Sequence, residues 1–202
     1  MDKALAHLQK TDPRMGALID IYPAPEFKKH TNYYHELVDS IISQQLSVKA
    51  ARMIEGRFKD LFSGNYPSPE QILEKDVEEL RAVGLSRPKA RYIQDLAVKI
   101  LDGTVTFDSI NELSNDEIIA ELTKVKGIGV WTVHMFLMFC MGRLDVLPTG
   151  DLGIRNGIMK LYELDHVPTE REVELIAEEN KWSPYESVAS WYVWQSLDNT
   201  PK

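Results

Sequence analysis

Apolar side chains recur along this chain at intervals of three and four. Leu37, Val38, Ile41 and Ile42 form one group, and Ala51, Ile54, Phe58 and Leu61 another. That spacing places each group on one face of a helix and predicts an amphipathic helix with a buried stripe. Hydroxyl side chains followed three residues later by Glu or Gln punctuate the pattern, at Ser68/Gln71, Ser114/Glu117, Thr169/Glu172 and Ser183/Glu186. Each pair satisfies two orphan backbone donors at once and predicts a helix start. Asp12-Pro13 reads as an N-cap followed by a first-turn proline. Val130 to Met141 is nearly all apolar and predicts a buried helix. Only Thr104 to Phe107 reads as a strand, and a single strand has nothing to pair with. The expected fold class is therefore all-α, a two-lobed bundle of about ten short helices.

The length of 202 residues fits one domain, or two small lobes around a shared core. The lone Cys140 excludes a disulfide framework, a four-cysteine zinc site and a cysteine-ligated iron–sulfur cluster. It also suits a reducing compartment. The longest apolar run, 12 residues from Val130 to Met141, is too short to span a bilayer, so no membrane partner is expected. The first residues, MDKALAHLQKTDPR, contain no signal-peptide apolar region. The net charge of −8 speaks against a polyanionic partner unless positive charge is gathered locally. It is gathered: Lys49 to Lys99 holds ten basic residues against eight acidic ones. Glu163 to Glu179 holds seven acidic residues and one arginine, which reads as a solvated helix face.

Two segments carry candidate chemistry. Leu122 to Thr132 (LTKVKGIGVWT) places Gly127 and Gly129 in a tight reversal between two helices. Glycine there lets a ligand approach the backbone, and the uncovered N–H groups of the next helix suit a phosphate. Lys124 and Lys126 flank the turn. The alternative is an ordinary αα-turn. Leu80 to Leu85 (LRAVGL) is a weak internal echo of the same pattern. The second segment is Asp145 to Arg155 (DVLPTGDLGIR), where Asp151 precedes a helix whose dipole favours a carboxylate. A plain N-cap is the competing reading of that residue. Trp131 stands at a helix start beside the glycine turn, whereas His134 reads as a satisfied polar residue within its helix. No His/Glu ligand cluster is visible.

Leu122 to Thr132, followed about twenty residues after Trp131 by Leu147 to Ile154 (LPTGDLGI), resembles the helix–hairpin–helix/Gly-Pro-Asp superfamily of DNA glycosylases. The alkylpurine branch, of the 3-methyladenine DNA glycosylase II type, is the most similar. Ile41 to Ala51, Val83 to Ala90 and Trp182 to Trp194 resemble further family signatures in the same order. The resemblance implies one glycosylase domain over residues 1–202, with two helical lobes, a cleft and the hairpin near 122–132. It places the catalytic aspartate at Asp151. It puts Trp131, Trp194 and Met135 in the base pocket, with Met135 replacing an aromatic often found there. Gln45 or Leu46 falls at the DNA wedge, and Lys124, Lys126, Gly127 and Gly129 form the phosphate-binding hairpin.

The resemblance also implies a monovalent Na or K ion on the backbone carbonyls of Thr123, Val125 and Gly127, with no cofactor required. Trp131 stands where bifunctional relatives place a lysine nucleophile, so the implied enzyme is monofunctional. The implied partner is double-stranded DNA containing alkylated bases. The expected state is a monomer, in the nucleoid of a prokaryote or the nucleus of a eukaryote. The alternative function is a non-catalytic module that binds damaged or kinked DNA.

Overall fold

The structure, a computed structural model, describes residues 1–198. These residues form twelve α-helices and no strand, two helices more than the spacing of apolar residues predicts. Short helices such as Pro69–Leu73 and Val77–Ala82 account for the difference, because one turn of pattern gives no period to read. Among the described residues, no helix is long and apolar enough to cross a membrane. The chain divides into two compact units, one made of Met1–Lys29 and Leu137–Lys202, the other of His30–Phe136.

The first unit contains α1 (Asp2–Thr11), α2 (Pro13–Ile21), α10 (Leu152–Leu161), α11 (Glu170–Glu179) and α12 (Glu186–Asp198). Leu8, Met15, Ile154, Ile158, Trp182 and Tyr192 are fully buried in its core. Burying such side chains stabilises the fold by about 1.5–3 kcal/mol each. At Gly157 α10 meets α12 so closely that a Cβ would lie 2.4 Å from Val193 Cγ1.

Asp12 is the buried polar anchor of this unit, 1% exposed. It caps α2 as expected, its Oδ1 accepting from the N–H groups of Arg14 (3.0 Å) and Met15 (3.1 Å). Its Oδ2 accepts from Trp182 Nε1 at 2.9 Å and from the Tyr162 hydroxyl. Burial first, then that hydrogen bond to Asp12, pushes the Tyr162 hydroxyl well above the usual phenol range. In Asp12→Asn the amide oxygen can serve only one of these two pairs of donors, and the NH₂ must face the other pair. We expect a loss of about 2 kcal/mol, checked as a lower urea midpoint with an unchanged m-value.

The second unit contains α3 (Tyr33–Ser43), α4 (Val48–Asp60), α5 (Pro69–Leu73), α6 (Val77–Ala82), α7 (Arg87–Leu101), α8 (Asn115–Leu122) and α9 (Val130–Met135). Leu37, Ile41, Phe58, Ile93, Leu96 and Ile118 are fully buried. α7 packs against α3, α5 and α6 and is the spine of this unit. The capping boxes at Ser68, Ser114 and Thr169 form as predicted. A further one forms at Asp76/Glu79, which opens α6.

Two expectations need correcting. Ser183 is not an N-cap, because Ser183 and Pro184 lie in a turn and α12 starts only at Glu186. Val130 to Met141 is not one buried helix. It is α9 followed by a π turn over Phe136–Cys140, with Val130, Trp131 and Phe139 exposed.

Candidate active site and nucleic-acid interface

In the first unit, the turn through Pro148, Thr149 and Gly150 delivers Asp151 to the start of α10. The Asp151 N–H donates to the Pro148 carbonyl at 3.0 Å, and its extended backbone (φ −72°, ψ 123°) makes it the N-cap. Asp151 Oδ1 accepts two hydrogen bonds, from the Ile154 N–H at 2.8 Å and from Trp194 Nε1 at 2.9 Å. The N-cap reading is thus correct, and a second donor from α12 fixes the same oxygen. Gly153 is what lets them meet. A Cβ there would lie 2.9 Å from Asp151 Oδ1 and 3.1 Å from Trp194 Cδ1.

Trp194 also lies beside Phe139, with ring centroids 6.2 Å apart, and Phe139 beside Phe27 at 5.6 Å. Phe139 is 40% exposed and was hidden from sequence reading inside an apolar run. Ser187 is a second residue that the sequence did not mark. Its buried hydroxyl donates to the Arg143 carbonyl (2.8 Å) and accepts from the Val146 N–H (3.0 Å). It thereby pins the segment that leads to Asp151. Ser187 and Trp194 are seven residues apart, two turns along one face of α12, so one helix face holds this segment at both points.

In the second unit, the reversal between α8 and α9 is built as the glycines require. Gly127 has φ +83°, and a Cβ there would lie 2.1 Å from Tyr92 Cδ2, so the turn rests on the Tyr92 ring. Val125 and Ile128 are buried beneath it, and the Ile128 N–H closes the turn on the Val125 carbonyl at 3.1 Å. Gly129 is the N-cap of α9 and supplies no side-chain hydrogen bond to it. Lys124 and Lys126 are exposed. Asp95 accepts from the Lys126 N–H at 2.9 Å and pairs with its Nζ at 3.3 Å. Trp131 follows on α9, 51% exposed, and Met135 lies one turn further, half-buried.

Between α3 and α4 the chain turns through Gln44, Gln45 and Leu46. Gln45 has φ +56°, a conformation that a non-glycine residue holds only in a constrained turn. Gln45 and Leu46 are exposed, Leu46 by 38%. The echo at Leu80 to Leu85 is also a helix–turn–helix, its Gly84 at φ +109°. The structure thus brings Asp151 and Trp194 together in one unit, and gathers the hairpin, the Gln45 turn, Trp131 and Met135 in the other. Among the described residues, no group of three or more His, Cys, Asp or Glu side chains could hold a metal ion.

The model of the HhH-GPD superfamily base excision DNA repair proteins matches residues 38–182. The chain is 37% identical over 201 residues to DNA-3-methyladenine glycosylase 1 of Schizosaccharomyces pombe, covering 97% of this chain and 87% of that protein. Among solved structures it is similar to the S. pombe 3-methyladenine DNA glycosylase in complex with abasic DNA. That match has a TM-score of 0.80 at 36% identity, over 99% of this chain and 100% of that one. A DNA-3-methyladenine glycosidase from Bacillus halodurans matches with a TM-score of 0.86 at 34% identity, over 97% and 89%. The chain therefore belongs to the HhH-GPD superfamily of base excision DNA repair proteins.

Proposed function

We propose that this protein is a monofunctional DNA glycosylase. It hydrolyses the N-glycosidic bond of flipped alkylated purines, of the 3-methyladenine and 7-methylguanine type, in duplex DNA and leaves an abasic site. The observation that carries this reading is the doubly held carboxylate of Asp151 on a family match that spans most of the chain. As the bond from the sugar to the base nitrogen breaks, its electron pair leaves with the base and positive charge builds on the sugar. A carboxylate fixed beforehand stabilises that charge, or orients the water that adds there, without reorganising during the reaction. An N-alkylated purine is already cationic, so it departs neutral and needs little acid help.

Trp131 takes the base in this reading. An indole face over a cationic base contributes about 2 kcal/mol where water is excluded. It also cannot form the Schiff base that strand cleavage by a lysine would need. Trp194 has its N–H on Asp151, so we assign it to positioning the carboxylate, in addition to the pocket role the resemblance gives it. Lys124, Lys126 and the backbone of Gly127 and Gly129 hold phosphate and read no sequence. Gln45 or Leu46 fills the gap left by the flipped base, and Met135 shapes the pocket wall.

A Na or K ion on the carbonyls of Thr123, Val125 and Gly127 fits only in part, since two of these already accept hydrogen bonds. Val125 accepts from the Ile128 N–H and Gly127 from Gln44 Nε2, and each has one further lone pair to offer. When bound, such an ion would add positive charge beside a phosphate. Residues 1–202 act as one glycosylase domain, with the carboxylate in the first unit and the DNA grip in the second. The site of action is wherever the DNA is, nucleoid or nucleus.

The test is release of methylated purines from alkylated duplex under single-turnover conditions. The expected products are free base and an uncleaved strand bearing an abasic site. Salt-dependent DNA binding with no base released from any alkylated purine would leave a binding module instead. Gly153→Ala gives a more local check. Alanine favours the helix by about 1 kcal/mol, so stability should hold, but its Cβ must displace Asp151 or Trp194. Base release is expected to slow by about 10- to 100-fold at an unchanged Tm.

A further inference from the structure

The turn assigned to the wedge and the hairpin assigned to phosphate are mounted on one face of α7. Lys89, Tyr92 and Asp95 recur every three residues along it, and all three are half-buried. Lys89 Nζ donates to the carbonyls of Ile42 (2.8 Å) and Gln44 (2.6 Å), one in the last turn of α3 and one at the start of the turn that follows. Burial pushes the Lys89 ammonium down, yet two carbonyls hold its donors. One turn on, the Tyr92 ring carries Gly127. One turn further, Asp95 takes the Lys126 N–H and pairs with its ammonium. Gln44 closes the arrangement, its Nε2 donating to the Gly127 carbonyl at 2.9 Å across 83 residues of sequence. The wedge turn and the hairpin therefore share a rail and are bridged directly at their tips.

We propose that Gln44 is a positioning residue for base extrusion, coupling the phosphate-gripping hairpin to the wedge turn. This rests on the reading of Gln45 or Leu46 as wedge and of 123–129 as the phosphate hairpin. Gln44 precedes Gln45, whose φ of +56° leaves the turn few ways to relax once both flanks are held. A phosphate that seats the hairpin then also sets where the wedge side chains stand. Gln44 touches neither the base nor the sugar in this scheme. It converts backbone grip, which is blind to damage, into pressure on the base stack.

The experiment uses the full chain and a duplex carrying 2-aminopurine opposite a tetrahydrofuran abasic analogue. Fluorescence at saturating protein reports the fraction of complexes with the wedge inserted. Gln44→Leu keeps the bulk of the side chain and deletes the bridge. The ratio of inserted to uninserted complex is expected to fall about three- to tenfold, the worth of one hydrogen bond. Affinity for undamaged duplex and its salt slope should stay within about twofold of wild type, since no phosphate contact is removed. Gln44→Glu has the same length, has no amide donor and sets a carboxylate against a carbonyl, so it should lose at least as much.

In a Gln45→Ala/Leu46→Ala background, Gln44→Leu should slow base release no further. Wild-type insertion by Gln44→Leu would overturn the proposal and leave the wedge reading standing. An equal further loss in the wedge-less background, or weakened binding to undamaged duplex, would make Gln44 a support of the hairpin only, which also overturns it. If the wild type bound the probe without any fluorescence change, the wedge reading itself would fall, and this proposal with it.

Discussion

Asp151→Asn is expected to lower the single-turnover rate of base release by about 10²–10⁴-fold, with DNA binding retained. Two donors meet one oxygen of Asp151, and this fixes how an asparagine must sit. Ile154 N–H and Trp194 Nε1–H point at Oδ1, so the asparagine carbonyl oxygen must take that place and its NH₂ the other. Asparagine is as good an N-cap as aspartate, so α10 keeps its first turn and the fold its stability to within about 0.5 kcal/mol. What disappears is the negative charge. The NH₂ presents a partial positive charge where the sugar develops its own, so the variant is opposed by repulsion as well as by lost attraction. The measurement pairs the release rate with affinity for undamaged duplex and with Tm. A variant within tenfold of wild type would remove Asp151 from the chemistry and return it to capping alone. A variant that also lost DNA affinity or stability would show that the carboxylate holds the structure of the site rather than the charge.

Helix starts were legible in the sequence where their chemistry is local. Three of the four predicted capping boxes close within four residues, and Asp12 caps α2 as its Asp-Pro pair implies. The box at Asp76/Glu79 escaped notice because aspartate replaces the hydroxyl residue there. Ser183 failed because the spacing of a box says nothing about where the backbone turns helical. Long-range pairings were not legible at all. Trp194 reaches Asp151 across 43 residues, Gln44 reaches Gly127 across 83, and Trp182 reaches Asp12 across 170. No periodicity encodes which two helix faces meet. The apolar run from Val130 to Met141 shows the other limit. Apolar residues that open towards solvent, such as Val130 and Phe139, look in sequence like those that fill the core beside them, such as Val133 and Leu137. The glycine motif was legible as a turn, yet the fold constrains its two glycines differently.

That difference makes the second large prediction. Gly127→Ala is expected to damage the hairpin itself. A side chain at φ +83° costs about 1–2 kcal/mol, and a Cβ 2.1 Å from the Tyr92 ring must push the turn off its seat, at about 1–3 kcal/mol more. Affinity should fall at least about tenfold for damaged and undamaged duplex alike, because the proposed phosphate grip would not distinguish them. Gly129 stands in ordinary extended backbone (φ −97°, ψ 171°), and a Cβ there meets nothing within 4 Å. A side chain therefore has room at that position, and close approach of a phosphate to the backbone is the reason for glycine that the proposed grip supplies. Gly129→Ser sharpens the contrast. Serine is a favoured N-cap, and its hydroxyl would accept from the first-turn N–H groups of α9, raising stability by a few tenths of a kcal/mol. Those are the groups a phosphate would use. The variant should therefore fold as well as wild type or better, and bind DNA about tenfold more weakly. Urea unfolding beside salt-titrated binding separates the two glycines. Undiminished binding by Gly129→Ser would show that the amides at the start of α9 do not hold phosphate. The grip would then rest on the lysines, and Lys124→Ala with Lys126→Ala should account for the whole salt slope of the hairpin.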